Sequence, residues 1–204
     1  MLKMRKIVLL LLAMMVVVPV SFSKDKRNSH YVTNQAPLVI QPYTALPLGS
    51  VKPKGMLLKM LDLQRDGLTG KLDSVYSIVC GSNNGWLGGT GDGWERGPYW
   101  IDGLIPLAYI LDDENLKKKA QEWIEWSIRN QREDGYFGPR PLAEGYKQIP
   151  GTQQGNREDW WPKMVMLKAL QQYYSATSDT RVLKLMDGYF RYQLKMLPQY
   201  PLGH

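Results

Sequence analysis

The chain reads as all-α: a partial α/α toroid of helical hairpins, the front portion of an (α/α)6-type barrel. Three observations predict it. Apolar residues recur at helical spacing through the second half of the chain. Segments apolar on nearly every face alternate with segments apolar on one face, as a two-layer ring requires, since inner helices touch neighbours on both sides while outer ones face water. The unit also returns: Trp100 aligns with Trp161 at a separation of 61, and Asp113 with Asp179 at 66. With 204 residues, 44% hydrophobic and 22% charged, the composition suits a chain that buries a core and excludes disordered and collagen-like classes.

Residues 1–23 run from a basic start (Lys3, Arg5, Lys6) through the apolar stretch Ile7 to Val20 to Ser21, Phe22 and Ser23. That is the layout of a cleaved secretory signal peptide, and the apolar run is short for a bilayer span. It predicts an exported protein, periplasmic or extracellular, with no stable membrane anchor after cleavage. No cysteine follows the run, so a lipoprotein signal is not supported. Removal leaves 23 basic against 19 acidic residues, a mild net charge of about +4. Lys117 to Lys119 form the longest basic cluster and lie on one side of an amphipathic helix. A solvated face explains them better than a nucleic-acid patch.

Residues 24–52 form an extended arm punctuated by Pro37, Pro42 and Pro47, and residues 53–204 the incomplete toroid. Pro53 suits a first helical turn; Met56, Leu57, Met60, Leu61 and Gln64 follow at helical spacing until Gly67. Asp73 to Cys80 reads as a short second helix. Residues 81–98 hold seven glycines interleaved with Trp86 and Trp94, which no helix survives.

A helix buried on all sides is expected from Tyr99 to Leu111, irregular at Pro106. Asp112, Asp113 and Asn115 then supply capping chemistry for a half-exposed helix with Leu116, Ala120, Trp123, Ile124, Ser127 and Ile128 on one face. A second long loop, Arg132 to Arg157, leads to another mostly buried helix from about Glu158 to Tyr174. Ser178 or Asp179 caps a last amphipathic helix, which ends at Pro198. Such repeats close into a ring only with more units, so the expectation is that the chain is the front of a longer protein.

In an up-and-down ring, every loop leading into an inner helix emerges at the same end, so loops 81–98 and 132–157 should meet over one mouth. Their ends bring Trp94, Glu95, Tyr99 and Asp102 towards Asp159 and Trp160. Sugars suit that surface, because C–H faces stack on aromatic rings while hydroxyls need carboxylates. These six are the candidate substrate-binding residues, and the expected partner is an oligosaccharide or polysaccharide. Two readings stand for Glu158 and Asp159, ligand contact and helix capping. Trp100 and Trp161 read as core. Gln131 to Gly138 reads as a structural turn, its aromatics packed between hairpins.

Paired carboxylates are what glycoside hydrolysis uses, one protonating the leaving oxygen and the other acting as base or nucleophile. There is no nucleophile elbow or phosphate loop; His30 and His204 lie in the arm and at the last residue. The single cysteine, Cys80, excludes an intramolecular disulfide and a thiolate-rich metal site built from this chain alone, and reads as a small buried hydrophobe.

The run Trp94 to Leu111, with Gln131 to Pro139, Leu46 to Val51 and Leu63 to Gly70, resembles the N-terminal part of bacterial beta-L-arabinofuranosidase-like proteins, glycoside hydrolase family 127 and its relatives. The resemblance implies an exported α/α-barrel hydrolase acting on plant-type glycans, with this chain supplying aromatic and acidic cleft walls. It also implies, for the longer protein, a zinc held by cysteines and a glutamate, one cysteine being the nucleophile. One cysteine cannot supply that set, so no catalytic residue carries over and no cofactor is assigned within this chain. The alternatives are a non-catalytic glycan-binding module and another toroid enzyme, such as a polysaccharide lyase or unsaturated-uronide hydrolase.

Overall fold

The computed structural model describes residues 33–155 and 159–202. The signal-like segment, His30, Arg157, Glu158 and His204 lie outside these. The described residues are helical: α1 (Gly55–Asp66), α2 (Leu68–Val75), α3 (Ser77–Cys80), α4 (Arg96–Leu111), α5 (Glu114–Arg129), α6 (Trp161–Thr177) and α7 (Arg181–Met196), with a 3-10 turn at Gly85–Leu87. Among them no helix is long and apolar enough to cross a membrane.

The first helix begins at Gly55, leaving Pro53 outside it, and the segment expected as one helix to Cys80 breaks at Tyr76. Met56, Leu57 and Met60 of α1 are exposed, and of its apolar stripe only Leu61 packs against the core. In α4, Pro106 does not end the helix. The carbonyl that its missing N–H leaves unpaired belongs to Asp102, on the partly exposed side, where water can satisfy it. Asp113 caps α5 as expected, accepting from the amides of Asn115 and Leu116 at 2.9 and 3.0 Å. At α7 the cap position falls on Thr180, while Asp179 Oδ1 accepts from the Arg181 amide and Ser178 instead ends α6 in the left-handed region.

α4 packs on α5 and α6, with α1 to α3 on its other flank. Trp100, Ile101, Leu104, Ile105 and Ala108 meet Ala120, Trp123 and Ile124 of α5 and Met166, Ala169 and Leu170 of α6 in one core. Gly97 permits the approach of α5: a Cβ there would stand 2.7 Å from the Trp123 ring, which packs edge-on against Trp100 at 5.7 Å. The Gln131 to Gly138 turn is structural, as read. Gln131 Nε2 donates to the carbonyls of Gly135 and Leu185, and Phe137 sits between Trp86 and Tyr189 at 5.8 and 4.8 Å.

Two expectations about the inner helices are corrected. α4 is not buried all round, since Tyr99 is 47% exposed, and α6, mostly buried as expected, leaves Trp161 equally exposed, no further helix covering that side among the described residues. The repeat offset is also 66 throughout, not 61 at the helix start. Asp112 and Ser178 are left-handed caps 66 apart, and the buried pairs Leu116/Val182 and Trp123/Tyr189 keep that spacing. Trp100 therefore corresponds to buried Met166, and Trp161 is not core.

The arm holds the opposite end. Lys52 Nζ donates to the carbonyls of Tyr109 and Ile110, both at 3.0 Å, satisfying orphan acceptors at the C-terminus of α4. The Leu48 amide donates to Ser175 Oγ on α6 at 3.0 Å.

Candidate functional site

The two glycine-rich loops do meet, at the N-terminal ends of α4 and α6. Gly93 and Gln154 form a parallel bridge, the Gly93 amide donating to the Gln153 carbonyl at 2.7 Å. Gln154 Nε2 reaches back to the Gly91 carbonyl, and the Gln153 amide donates to Asp92 Oδ2 at 2.8 Å.

This joint places a reciprocal pair of indole–carboxylate bonds between the two helix starts. Trp94 Nε1 donates to Asp159 Oδ2 at 2.6 Å, and Trp161 Nε1 donates to Glu95 Oε2. Each helix start thus lends an indole to the carboxylate of the other. Asp159 Oδ1 also accepts from the Trp161 amide at 3.2 Å, which matches the helix-capping reading of this acid, while its Oδ2 serves the opposing loop.

Further along, Asp102 on α4 accepts from Lys168 Nζ at 2.9 Å and from Gln172 Nε2 at 3.0 Å, both on α6. Near the far end the rings of Tyr109 and Tyr173 lie 6.3 Å apart. Cross-contacts at near-constant offset from one end to the other mean that α4 and α6 run parallel. Glu95, Tyr99 and Asp102 form one stripe of α4, and Trp161, Lys168 and Gln172 the facing stripe of α6.

Of the six candidates, the structure brings Trp94, Glu95 and Asp159 into one bonded group, with Tyr99 exposed one turn above Glu95. Asp102 lies farther down the stripe. Trp160 is apart: it is 5% exposed, packs near Tyr192 at 6.2 Å and donates its indole N–H to the Tyr200 carbonyl at 3.0 Å, so its ring belongs to the core. Sequence reasoning missed Trp161, Lys168 and Gln172. The signal was present, since Glu95 and Trp161, and Asp102 and Lys168, stand 66 apart, the offset that the outer helices already show.

The zinc set that the resemblance implies does not fit these residues. Burial pushes the Cys80 thiol up to about 12, with the charge of Asp92 acting in the same direction, whereas a zinc ligand must be a thiolate. Cys80 is 2% exposed inside the core, and among the described residues no group of three His, Cys, Asp or Glu side chains is placed to hold a metal ion.

Parallel inner helices, one-sided outer helices and long loops joined over one end define an α/α-hairpin domain of the (α/α)6 type. A family model described as Beta-L-arabinofuranosidase, GH127 catalytic domain, matches residues 54–202, and the chain belongs to that family. Comparison with curated proteins and with solved structures gives no match. Membership makes the domain glycoside hydrolase-like and its substrate a carbohydrate.

Proposed function

We propose that this chain forms one wall of the glycan cleft in an exported glycoside hydrolase that acts on plant-type glycans, β-L-arabinofuranosides among them. The observation that carries the reading is the reciprocal exchange of Trp94 with Asp159 and of Trp161 with Glu95 at the joined loop ends. An indole N–H bonded to a carboxylate fixes the ring plane; at Glu95 it leaves the second oxygen for a ligand, while at Asp159 the second oxygen already accepts from the Trp161 amide. Glu95 Oε1 has no partner among the described residues. The half-exposed rings of Trp161 and Tyr99 offer flat apolar faces to sugar C–H groups, and Glu95 offers a hydroxyl an unoccupied acceptor oxygen, Asp159 and Asp102 only the second lone pairs of oxygens that already accept one bond. These residues bind and orient the glycan.

Titration of the full-length protein with an arabinofuranosyl oligosaccharide tests this. Trp161→Ala and Glu95→Gln should each weaken binding by about tenfold, the size of one charge-assisted hydrogen bond, with little change in melting temperature. Unchanged affinity in both, or a loss that merely follows a lower melting temperature, rejects the assignment. N-terminal sequencing of the exported protein should find a start after Ser23.

A further inference from the structure

We propose that Asp92 is the positioning residue of this mouth: paired with Arg96 and the Gln153 amide, it holds segment 151–155 against segment 91–95 and so sets the alignment of Trp94 with Asp159. The inference rests on the glycan-wall reading above. Asp92 is 0% exposed, although nothing in the bonded group of Trp94, Glu95, Asp159 and Trp161 needs it as a ligand contact. Its Oδ2 collects three donors: Arg96 Nε at 3.1 Å, Arg96 Nη2, and the Gln153 amide at 2.8 Å. Its Oδ1 is buried with no hydrogen-bond partner.

Burying a carboxylate is costly, and an apolar side chain in the same space is often at least as stable as a buried ion pair. What the pair adds is directional. Arg96, the first residue of α4, spreads its guanidinium over three segments: Asp92 in the first loop, the Gly151 carbonyl in the second at 2.9 Å, and Tyr76 Oη between α2 and α3 at 3.1 Å. Two residues beyond Asp92 is Trp94; two residues beyond Gln153 is Gly155, where a Cβ would stand 2.9 Å from Trp94 Cδ1 and 3.4 Å from Asp159 Oδ2. The ionic joint is therefore two residues removed, on both strands of the bridge, from the indole it aligns.

The test is Asp92→Asn in the full-length protein, which keeps the shape and an acceptor for Gln153 but removes the charge that orders Arg96. If that variant does not fold, the pair Asp92→Asn with Arg96→Gln leaves no lone buried charge and carries the same measurements. Amide exchange in 151–155 should rise at least tenfold while exchange in α5 stays unchanged, the near-UV circular dichroism of the indoles should change, and glycan affinity should fall about tenfold. Exchange that is unchanged in 151–155, or that rises equally in α5, overturns the proposal. Selective loosening of 151–155 with glycan affinity intact in Asp92→Asn, Trp161→Ala and Glu95→Gln alike supports the joint and rejects the glycan-wall reading instead.

Discussion

Ile124 on α5 and Phe190 on α7 stand 66 residues apart at the same place in successive hairpins, yet Ile124 is 0% exposed and Phe190 48%. Ile101 on α4 and Leu167 on α6 repeat the contrast, buried against partly buried. The sequence pattern of the two hairpins is alike; their neighbours are not. The α4–α5 hairpin has α6 and α7 on one flank and α1 to α3 against α4 on the other, whereas among the described residues α6–α7 has helices on one flank only. An apolar stripe records what a helix is suited to bury, and its neighbours decide how much of that is realised in a repeat architecture.

The largest effect should separate these two positions. Ile124→Ala is expected to lower the unfolding free energy by about 2–5 kcal/mol, through lost transfer energy and a residual cavity. Phe190→Ala should cost less than about 1 kcal/mol, a surface-sized change. Urea denaturation of both variants measures the difference. Equal costs would break the comparison and mean that the α7 face is covered in solution. A second test falls where the hairpins meet. Gly135 has φ +93°, and a Cβ there would lie 2.2 Å from the Gly188 carbonyl oxygen on α7. Gly135→Ala should therefore cost more than about 1 kcal/mol, visible in the same denaturation series, because both backbone and space are wrong for a side chain.

The contrast also explains what could be read from the sequence. Periodicity located α4 to α7, since 3.6-residue spacing reports the helix itself, and chain direction in a hairpin stack put both long loops at one end. The Asp113 cap was readable because its chemistry is local. Trp161 was not: a tryptophan on a seemingly all-buried helix reads as core, and only the neighbour that does not cover it leaves it at the surface. Trp160 failed in the opposite sense, because its burial depends on Tyr192 and Tyr200, distant in sequence. α6 starts at Trp161, three residues beyond Glu158, because local sequence marks acids near a helix start but not the turn on which the helix begins; Asp159 lies just outside it, bonded to the Trp161 amide and to Trp94. Asp92 is not legible in the sequence, since a lone aspartate in a glycine-rich loop carries no mark of the arginine fork and the second-loop amide that it meets.

A smaller effect distinguishes how the two outer helices begin. The Asp113 carboxylate accepts two amides at the start of α5, whereas at the start of α7 its counterpart Asp179 accepts one, that of Arg181, and Thr180 at the cap position accepts none. Asp113→Ala should cost about 1 kcal/mol and Thr180→Ala no more than a few tenths. Comparable losses would mean that Thr180 caps α7 in solution, and would make the two hairpins more alike than their geometry shows.

The smallest effect concerns the ion pair that ties the outer helices together. Arg181 stands where the first hairpin has Asn115, and its guanidinium donates to Glu125 on α5 at 2.6 Å and to Asp179 at 2.6 Å. Hydrogen bonds from Arg181 hold the Glu125 carboxyl below its ordinary 4.5 and the Asp179 carboxyl below its ordinary 3.8. Both shifts are depressions, so the unfolded chain takes up protons before the folded one as pH falls. Their stabilisation is complete above the unfolded values and is lost from pH 4.5 downward, as the depressed folded values are crossed. Because Arg181 is about half exposed, solvent and salt screen most of the gain. Melting temperature followed through that range should therefore show a shallow acid limb that Glu125→Gln flattens and added salt weakens. An unaltered limb in Glu125→Gln would show that the pair does not hold α5 to α7, leaving their contact to Tyr189, Val182 and the apolar face beneath.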